Sequence, residues 1–114
     1  MAEIDNIAVA FGTGTTSPAV GIGNKELVGI QIPSNWVTAS LQLQASIDGG
    51  ATFGSVLTVA GTATPYAIGS ITGGTQAYIA IDPNTLRGVN LIQFVASAAQ
   101  TNNPTITLVT RLVF

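Results

Sequence analysis

The sequence predicts an all-β protein: a single, jelly-roll-like β-sandwich of about seven or eight short, mainly antiparallel strands. Three observations support this fold class. Apolar residues alternate with polar ones at a period of two in several short segments. Turn-forming Gly, Pro, Asn and Asp residues separate those segments. No segment of about ten residues or more has the 3.6-residue period of an amphipathic helix.

The predicted strands share period-two alternation or a high content of β-branched residues. In chain order they are Ile4–Phe11, a strand from Glu26 to Pro33, Ser40–Ile47, Phe53–Val59, Tyr66–Ile71, Ala77–Ile81, Leu91–Ser97 and Thr105–Phe114. In the second of them the alternation places Val28, Ile30 and Ile32 on one face. One helical turn is expected at Asp82–Leu86, where Asp82 would be the N-cap and Pro83 the first helical residue.

The clearest pattern is a hairpin from Leu41 to Val59. The apolar positions, Leu41, Leu43, Ala45 and Ile47, alternate with Gln42, Gln44 and Ser46. Asp48, Gly49 and Gly50 then supply a turn, because glycine adopts positive φ at little cost and Asp tolerates turn geometry.

The chain reads as one domain over residues 1–114, because we find no internal repeat and no linker long enough to divide it. Its longest low-complexity connector is the Gly/Thr-rich segment 12–23, which we expect to be a mobile loop or arm. The sequence also leaves room for a flexible N-terminal segment, 1–5.

Composition excludes several classes of function. Of 114 residues only 7% are charged, the net charge is −2, and the basic residues are Lys25, Arg87 and Arg111. This is too little positive charge for nucleic-acid binding. The chain has no Cys and no His, which removes thiol nucleophiles, imidazole bases and the common zinc ligands. No apolar run is long enough for a helical membrane span, and we expect no membrane partner, no metal and no cofactor.

The acidic residues do not indicate an enzyme. They are Glu3, Asp5, Glu26, Asp48 and Asp82. Backbone geometry explains Asp48, in a turn, and Asp82, before a proline, better than catalysis does. A Ser–Lys arrangement would need Lys25, for which a solvated surface pair with Glu26 is the simpler explanation. We therefore expect no catalytic residue.

Among the aromatic residues, Phe11, Tyr78 and Phe94 are expected in the core. Trp36 follows Pro33-Ser34-Asn35, a connector between two strands. It could close the end of the core or stack on a sugar ring, and we favour closure of the core because tryptophan is usually largely buried.

A chain with so few charges must cover its surface with Thr, Ser, Asn, Gln, Ala and Gly. Such a surface is easily desolvated, and uncharged outer strands are poorly protected against edge pairing. Both properties favour a structural protein that works in an assembly.

Four segments, taken together and in order, resemble a family of small virion proteins of tailed bacteriophages. They are Val28–Trp36, Leu41–Phe53, Tyr78–Pro83 and Thr105–Arg111, about half of the chain. This resemblance implies a non-enzymatic β-sandwich built into the particle, and within that class we favour a head decoration (cement) protein. Such a protein binds outside the capsid lattice, often as a trimer.

The resemblance thus implies two partners, the major capsid protein and further copies of this chain. The protein would be made in the cytoplasm of the bacterial host and located on the capsid exterior. As contact residues we propose Met1, Ala2, Glu3, Ile4 and Asp5, with the aromatic residues Trp36 and Phe53; the Gly/Thr-rich segment 12–23 is the alternative segment for reaching the capsid protein. Deleting residues 1–5 should then weaken capsid attachment without unfolding the domain. Two alternatives remain open, a tail or baseplate component and a carbohydrate-binding module.

Overall fold

The computed structural model describes residues 3–22, 25–55, 57–58, 64–65, 67–81 and 91–112. These residues form eleven β-strands. The strands are β1 (Glu3–Ala10), β2 (Val20–Gly21), β3 (Lys25–Ile32), β4 (Ala39–Ser46), β5 (Gly54–Ser55), β6 (Leu57–Thr58), β7 (Thr64–Pro65), β8 (Ala67–Ile71), β9 (Ala77–Ala80), β10 (Leu91–Ala96) and β11 (Thr105–Leu112). The helical turn expected at Asp82–Leu86 lies outside the described residues.

The first sheet has four antiparallel strands in the order β1-β11-β3-β9. One of its two inner strands, β11, places Ile106 opposite Val9 of β1 and Leu108 opposite Ile30 of β3. All these side chains are buried, so one face of this sheet is lined with branched apolar residues.

The second sheet is built on β10 and β4, which pair along six residues each and place Phe94 opposite Leu43. β2 lies on the free side of β10, while β5 and β8 both pair with β4. β5 returns along β4 as the hairpin predicted from Leu41 to Val59 requires, but over two residues only, because Leu57 and Thr58 of the predicted return strand pair with β7 instead. β6 and β7 form a separate two-stranded ribbon.

The inner faces of the two sheets meet in one hydrophobic core, which confirms the all-β sandwich. Its fully buried large side chains include Phe11, Ile22, Leu27, Ile30, Ile32, Leu41, Leu43, Ile92, Phe94, Ile106 and Leu108. Leu41 and Leu43 face this core as the alternation in β4 predicts.

A β-bulge changes the face that part of β3 presents. The register shifts between Val109 and Thr110, which lie opposite Gly29 and Leu27, so Val28 is the extra residue. Leu27 is therefore buried and Val28 is only half-buried. The expectation that Val28 shares the core face with Ile30 is wrong, because one inserted residue inverts the alternation on either side of it.

The alternation in β4 also ends earlier than predicted. The strand stops at Ser46, and Ile47, expected on the core face, is 89% exposed in the following turn. Ser46 is buried instead, and its hydroxyl accepts a hydrogen bond from the Gly50 amide at 3.0 Å. The turn thus uses Ser46 as its anchor and turns Ile47 outward.

The Gly/Thr-rich segment expected to be a mobile loop or arm lies along β10 over its described residues. Thr15 accepts a backbone hydrogen bond from Ala96 at 2.7 Å, and Ser17 donates its amide to Phe94 at 2.9 Å. The Ser17 hydroxyl in turn accepts the Phe94 amide at 2.8 Å. This segment serves as an irregular edge strand, because its backbone groups find partners on a strand that is distant in sequence.

Residues 3–5 of the N-terminal segment, which the sequence allowed to be flexible, begin β1 in this structure. Glu3 and Asp5 lie opposite Leu112 and Thr110 of β11. The Thr110 hydroxyl also donates to the Asp5 carbonyl at 3.1 Å.

Candidate interaction surface

Trp36 closes one end of the core. Its side chain is 2% exposed and meets the ring of Phe11 edge to face, with ring centroids 5.6 Å apart and planes at 87°. Its carbonyl lies so close to Gly73 that a Cβ on Gly73 would be 2.0 Å from the oxygen. A side chain packed in this way is not accessible to a partner or to a sugar ring.

Gln100 joins two loops at the same end of the sandwich. Its side chain is fully buried, and its Oε1 accepts the Val37 amide at 2.8 Å. Its Nε2 donates to the Val37 carbonyl at 2.9 Å and to the Ala98 carbonyl at 3.2 Å. The amide group thereby satisfies the backbone of Val37 as a neighbouring strand would. Sequence reasoning missed this residue, because a lone Gln in a polar loop gives no pattern.

The face of the first sheet that points away from the core is exposed, and we call it the outer face. It is formed by the residues that alternate with the core positions: Ile4, Asn6, Ala8, Ala10, Gln31, Tyr78, Ala80, Thr105, Thr107, Val109 and Arg111. Ile4 is 62% exposed and Tyr78 is 57% exposed. Two large side chains with apolar surface therefore lie in the open on a face whose other residues, apart from Arg111, are uncharged.

Tyr78 belongs to this outer face and not to the core, so the core expectation for it is wrong. It is opposite Gln31 on β3, and its ring covers Gly29 of the same strand. A Cβ at Gly29 would lie 2.0 Å from the phenol oxygen. The ring fills the space above a residue that has no side chain, which keeps the other side of the ring toward solvent.

Four charged side chains of the first sheet form two pairs across strands. Lys25 donates to the Asp5 carboxylate at 2.7 Å, and Arg111 bonds Glu26, its direct partner in the sheet. The expected surface pair between Lys25 and Glu26 is wrong, because adjacent strand residues point to opposite faces. The Lys25 hydrogen bond lowers the pKa of Asp5, with help from the Asn6 amide.

Asp48 holds the turn between β4 and β5. Its carboxylate accepts hydrogen bonds from the Ser46 hydroxyl at 2.7 Å and from the amide and hydroxyl of Thr52 at 3.0 and 2.5 Å. These bonds, that from the Thr52 hydroxyl foremost, lower the pKa of Asp48 from 3.8 to about 2. The structural explanation of this carboxylate as a turn residue agrees with its contacts.

The proposed contact residues do not form one cluster. Met1 and Ala2 lie outside the described residues, and Glu3, Ile4 and Asp5 are in β1. Phe53 is half-buried just before β5, on the other sheet, and Trp36 is in the core. Of this set, Ile4 is the large apolar side chain that the structure exposes.

In the described part of the chain, no group of three or more Asp and Glu residues could hold a metal ion. No helix there is long and apolar enough to cross a membrane.

Comparison with known proteins finds a likeness in fold and none in sequence. No family model matches the chain, and no curated protein matches its sequence. Among solved structures it is similar to the SPBc2 prophage-derived protein YomS, with 11% identity and a TM-score of 0.61 over 97% of this chain and 95% of that one.

Two further structures are more distant. The F5/8 type C domain of a Bacteroides fragilis protein has a TM-score of 0.40 and 14% identity over 86% of this chain and 64% of that one. A Clostridium stercorarium protein, CsCBM6-3 in complex with cellobiose, has a TM-score of 0.40 and 11% identity over 92% and 71%.

Proposed function

We propose that this chain is a non-enzymatic structural protein of a bacteriophage particle, which binds the outside of the capsid lattice and stabilises the head. The observation that carries the proposal is the fold likeness to a prophage-derived protein along nearly the whole length of both chains. The four sequence segments that resemble small phage virion proteins support it independently.

The outer face supports a role in assembly. It contains Ile4 and Tyr78 as exposed anchors, and the Arg111–Glu26 pair balances its own charge. Desolvating neutral side chains costs less than desolvating free charges, so such a face can be covered by a partner at little expense in free energy. Tyrosine and arginine are also enriched among the residues that contribute most to interfaces, and this face contains Tyr78 and Arg111.

The major capsid protein is the partner we propose for this face, with additional contacts to copies of the same chain. Each contact can be weak, because many copies bind one closed shell and each bound copy favours the assembled lattice over its free subunits. The resulting location is the capsid exterior, after synthesis in the cytoplasm of the bacterial host.

Copy number in the particle tests this proposal. Virions of the phage that encodes this chain are purified, and the chain is counted against the major capsid protein by quantitative mass spectrometry. A copy number comparable with that of the capsid subunit is expected. A copy number far below it would indicate a tail or baseplate component, and absence from the particle would overturn the virion role.

A pair of isoleucines provides a matched test of the binding face. Ile4→Lys adds a charge to the outer face, whereas Ile47→Lys adds the same charge to an exposed turn of the second sheet. We expect Ile4→Lys to lower capsid occupancy about tenfold or more, which corresponds to about 1.4 kcal/mol, and Ile47→Lys to leave it unchanged. Equal occupancy of both variants would contradict this choice of face.

These point variants are sharper than deletion of residues 1–5. The deletion also removes Asp5, whose carboxylate bonds Lys25 and whose carbonyl bonds Thr110. A loss of attachment after the deletion would therefore mix a lost contact with a weakened β1. Circular dichroism of each variant separates the two effects.

A further inference from the structure

β1 presents an open edge. It is a terminal strand of the first sheet, so its side away from β11 pairs with no strand of the described part of the chain. Its eight residues keep a regular register with β11 and contain no proline and no lysine. Natural β-proteins usually protect such an edge with Lys, Pro or a bulge, because unpaired amides and carbonyls recruit another strand.

The backbone hydrogen bonds identify the groups that point outward. Phe11 donates its amide to Pro104, on the β11 side, at 2.9 Å. The direction of the backbone hydrogen-bonding groups alternates along a strand. The amide and carbonyl of Val9 therefore also point toward β11, and those of Ala8 and Ala10 point away. The outward amide of Asn6 is already bonded by the Asp5 carboxylate at 2.9 Å, so the open stretch is centred on Ala8.

The other described edges offer less. β2, β5 and the two strands of the β6–β7 ribbon have two residues each, β8 has five, and β9 has four with the Tyr78 ring on one face. β1 is therefore the edge able to form the longest new ladder.

We propose that β1 pairs with β1 of a second copy of this chain, antiparallel and about a two-fold axis at Ala8. In this register Ala8 exchanges both backbone hydrogen bonds with Ala8 of the second copy. The Ala10 amide donates to the Asn6 carbonyl of the second copy. By symmetry, the Ala10 amide of the second copy donates to the Asn6 carbonyl of the first. The two first sheets then become one continuous sheet.

The side chains of β1 favour pairing with a second copy of this chain. On the core side, Ile7 faces Val9 of the second copy on both sides of the axis, which extends the apolar row of each sandwich. On the outer face, the residue at the axis is Ala8, and Asn6 faces Ala10 of the second copy.

Charge also permits the pairing. Asp5 is the charged residue between Ile4 and Ala10, and Lys25 already pairs with it at 2.7 Å. The two Asp5 residues lie six strand positions apart across the axis, about 20 Å at the usual rise per residue. This is beyond the Debye length of about 8–10 Å, so their repulsion is screened.

The proposal depends on strand pairing and not on capsid binding. It also predicts a pair of copies in solution where the resemblance to decoration proteins implies a trimer. A chain that forms no pair could still decorate a capsid, and a dimer could exist without any virion role, so the two proposals fail separately.

The test introduces a charge at the axis and measures the mass of the purified chain by sedimentation velocity at concentrations up to about 100 μM. The wild-type chain is expected at twice the monomer mass of 11.5 kDa. Ala8→Lys and Ala8→Asp each place like charges on opposite strands and should halve the observed mass. Mixing the two variants should restore the dimer, because each supplies the charge that the other lacks.

Thr105→Lys is the matched control. Thr105 is exposed on the outer face of β11, one strand inside the edge, and its variant should remain dimeric. A wild-type monomer or trimer would overturn the proposal, as would a dimer of Ala8→Lys equal to the wild type. If one Ala8 variant does not fold by circular dichroism, the other is judged against Thr105→Lys by the same measurement.

Discussion

Trp36 and Gln100 close one end of the sandwich by different means. Trp36 fills the space beside Phe11 with a large ring, whereas Gln100 supplies hydrogen bonds to the backbone of Val37. A sandwich needs both at its ends, where strands stop, because apolar surface must be covered and backbone groups must still be paired. These residues therefore act on stability, and neither offers a surface to a partner.

Replacing Trp36 by Ala tests this structural role. The truncation removes the ring contact with Phe11 and leaves a cavity, so the free energy of unfolding should fall by about 3–5 kcal/mol in urea titrations. Trp36→Phe is the control and should cost much less, because the indole Nε1 has no hydrogen-bond partner among the described residues. A loss below about 1 kcal/mol for Trp36→Ala would contradict the buried position.

Asp48 should make the stability of the fold depend on pH in the acid range. Its pKa is about 2 in the folded chain against an ordinary value of 3.8, so the folded state favours the ionised form. The stabilisation is complete above the ordinary value and is lost as the pH falls from about 4 to about 2. Urea titrations of the wild type and of Asp48→Asn measure it.

The Asn variant should be less stable than the wild type at neutral pH, and the difference should shrink as the pH falls to about 2. A difference that does not change with pH would mean that the Thr52 and Ser46 bonds do not favour the charged form.

At the scale of elements, β3 combines a bulge with a glycine that its neighbour covers. The bulge at Val28 turns Leu27 inward and separates it from the row of Ile30 and Ile32. One residue further on, Gly29 leaves room for the ring of Tyr78 from β9. The sheet edge is therefore shaped by backbone geometry on one strand and by an aromatic ring on the next.

A double-mutant cycle on Gly29 and Tyr78 measures the coupling free energy between the glycine and the ring that covers it. In the wild type, Gly29→Ala must displace the Tyr78 ring and should destabilise the fold. In a Tyr78→Ser background the same change should be neutral or stabilising by about 0.5–1 kcal/mol, because glycine inside a strand costs conformational entropy. Urea titrations of the four proteins should give a coupling energy of about 1 kcal/mol. Additive effects would show that the ring does not rest on Gly29.

At the scale of the whole molecule, the sequence has few charges, and five of those in the described residues have partners. Asp5 pairs with Lys25, Glu26 with Arg111, and Asp48 is bonded within its turn. In the described residues, pairing across strands thus leaves fewer unpaired charges than the composition alone implies.

Folding should therefore lower the isoelectric point. Asp5 and Asp48 keep their negative charge to lower pH in the folded chain than in the unfolded one, because their pKa values are lowered. Zero net charge is then reached below the value of about 4.4 that the sequence gives. Isoelectric focusing without and with urea measures the isoelectric points of the folded and the unfolded chain. Asp48→Asn should reduce the difference between these two isoelectric points. A native band at or above the urea band would contradict the expectation.

Local patterns were sufficient for much of the fold. The alternation of Leu41 and Leu43 with glutamines predicted a strand with one buried face, and Asp48-Gly49-Gly50 predicted the turn after it. These features depend on residues close together in the chain, so the sequence contains their full cause. The predicted position of Trp36 at the end of the core follows in the same way from its place between two strands.

The remaining features depend on pairings between distant segments, which only the tertiary structure decides. The docking of Thr15 and Ser17 on β10, the burial of Gln100 against Val37 and the position of Tyr78 above Gly29 each need a partner far away in sequence. The exposed outer face and the open edge of β1 are of the same kind, because which strand ends a sheet is set by the order in which strands pair. The sequence by itself determined a sparsely charged, two-layered β-protein, and the order of its strands decided which surfaces are left exposed.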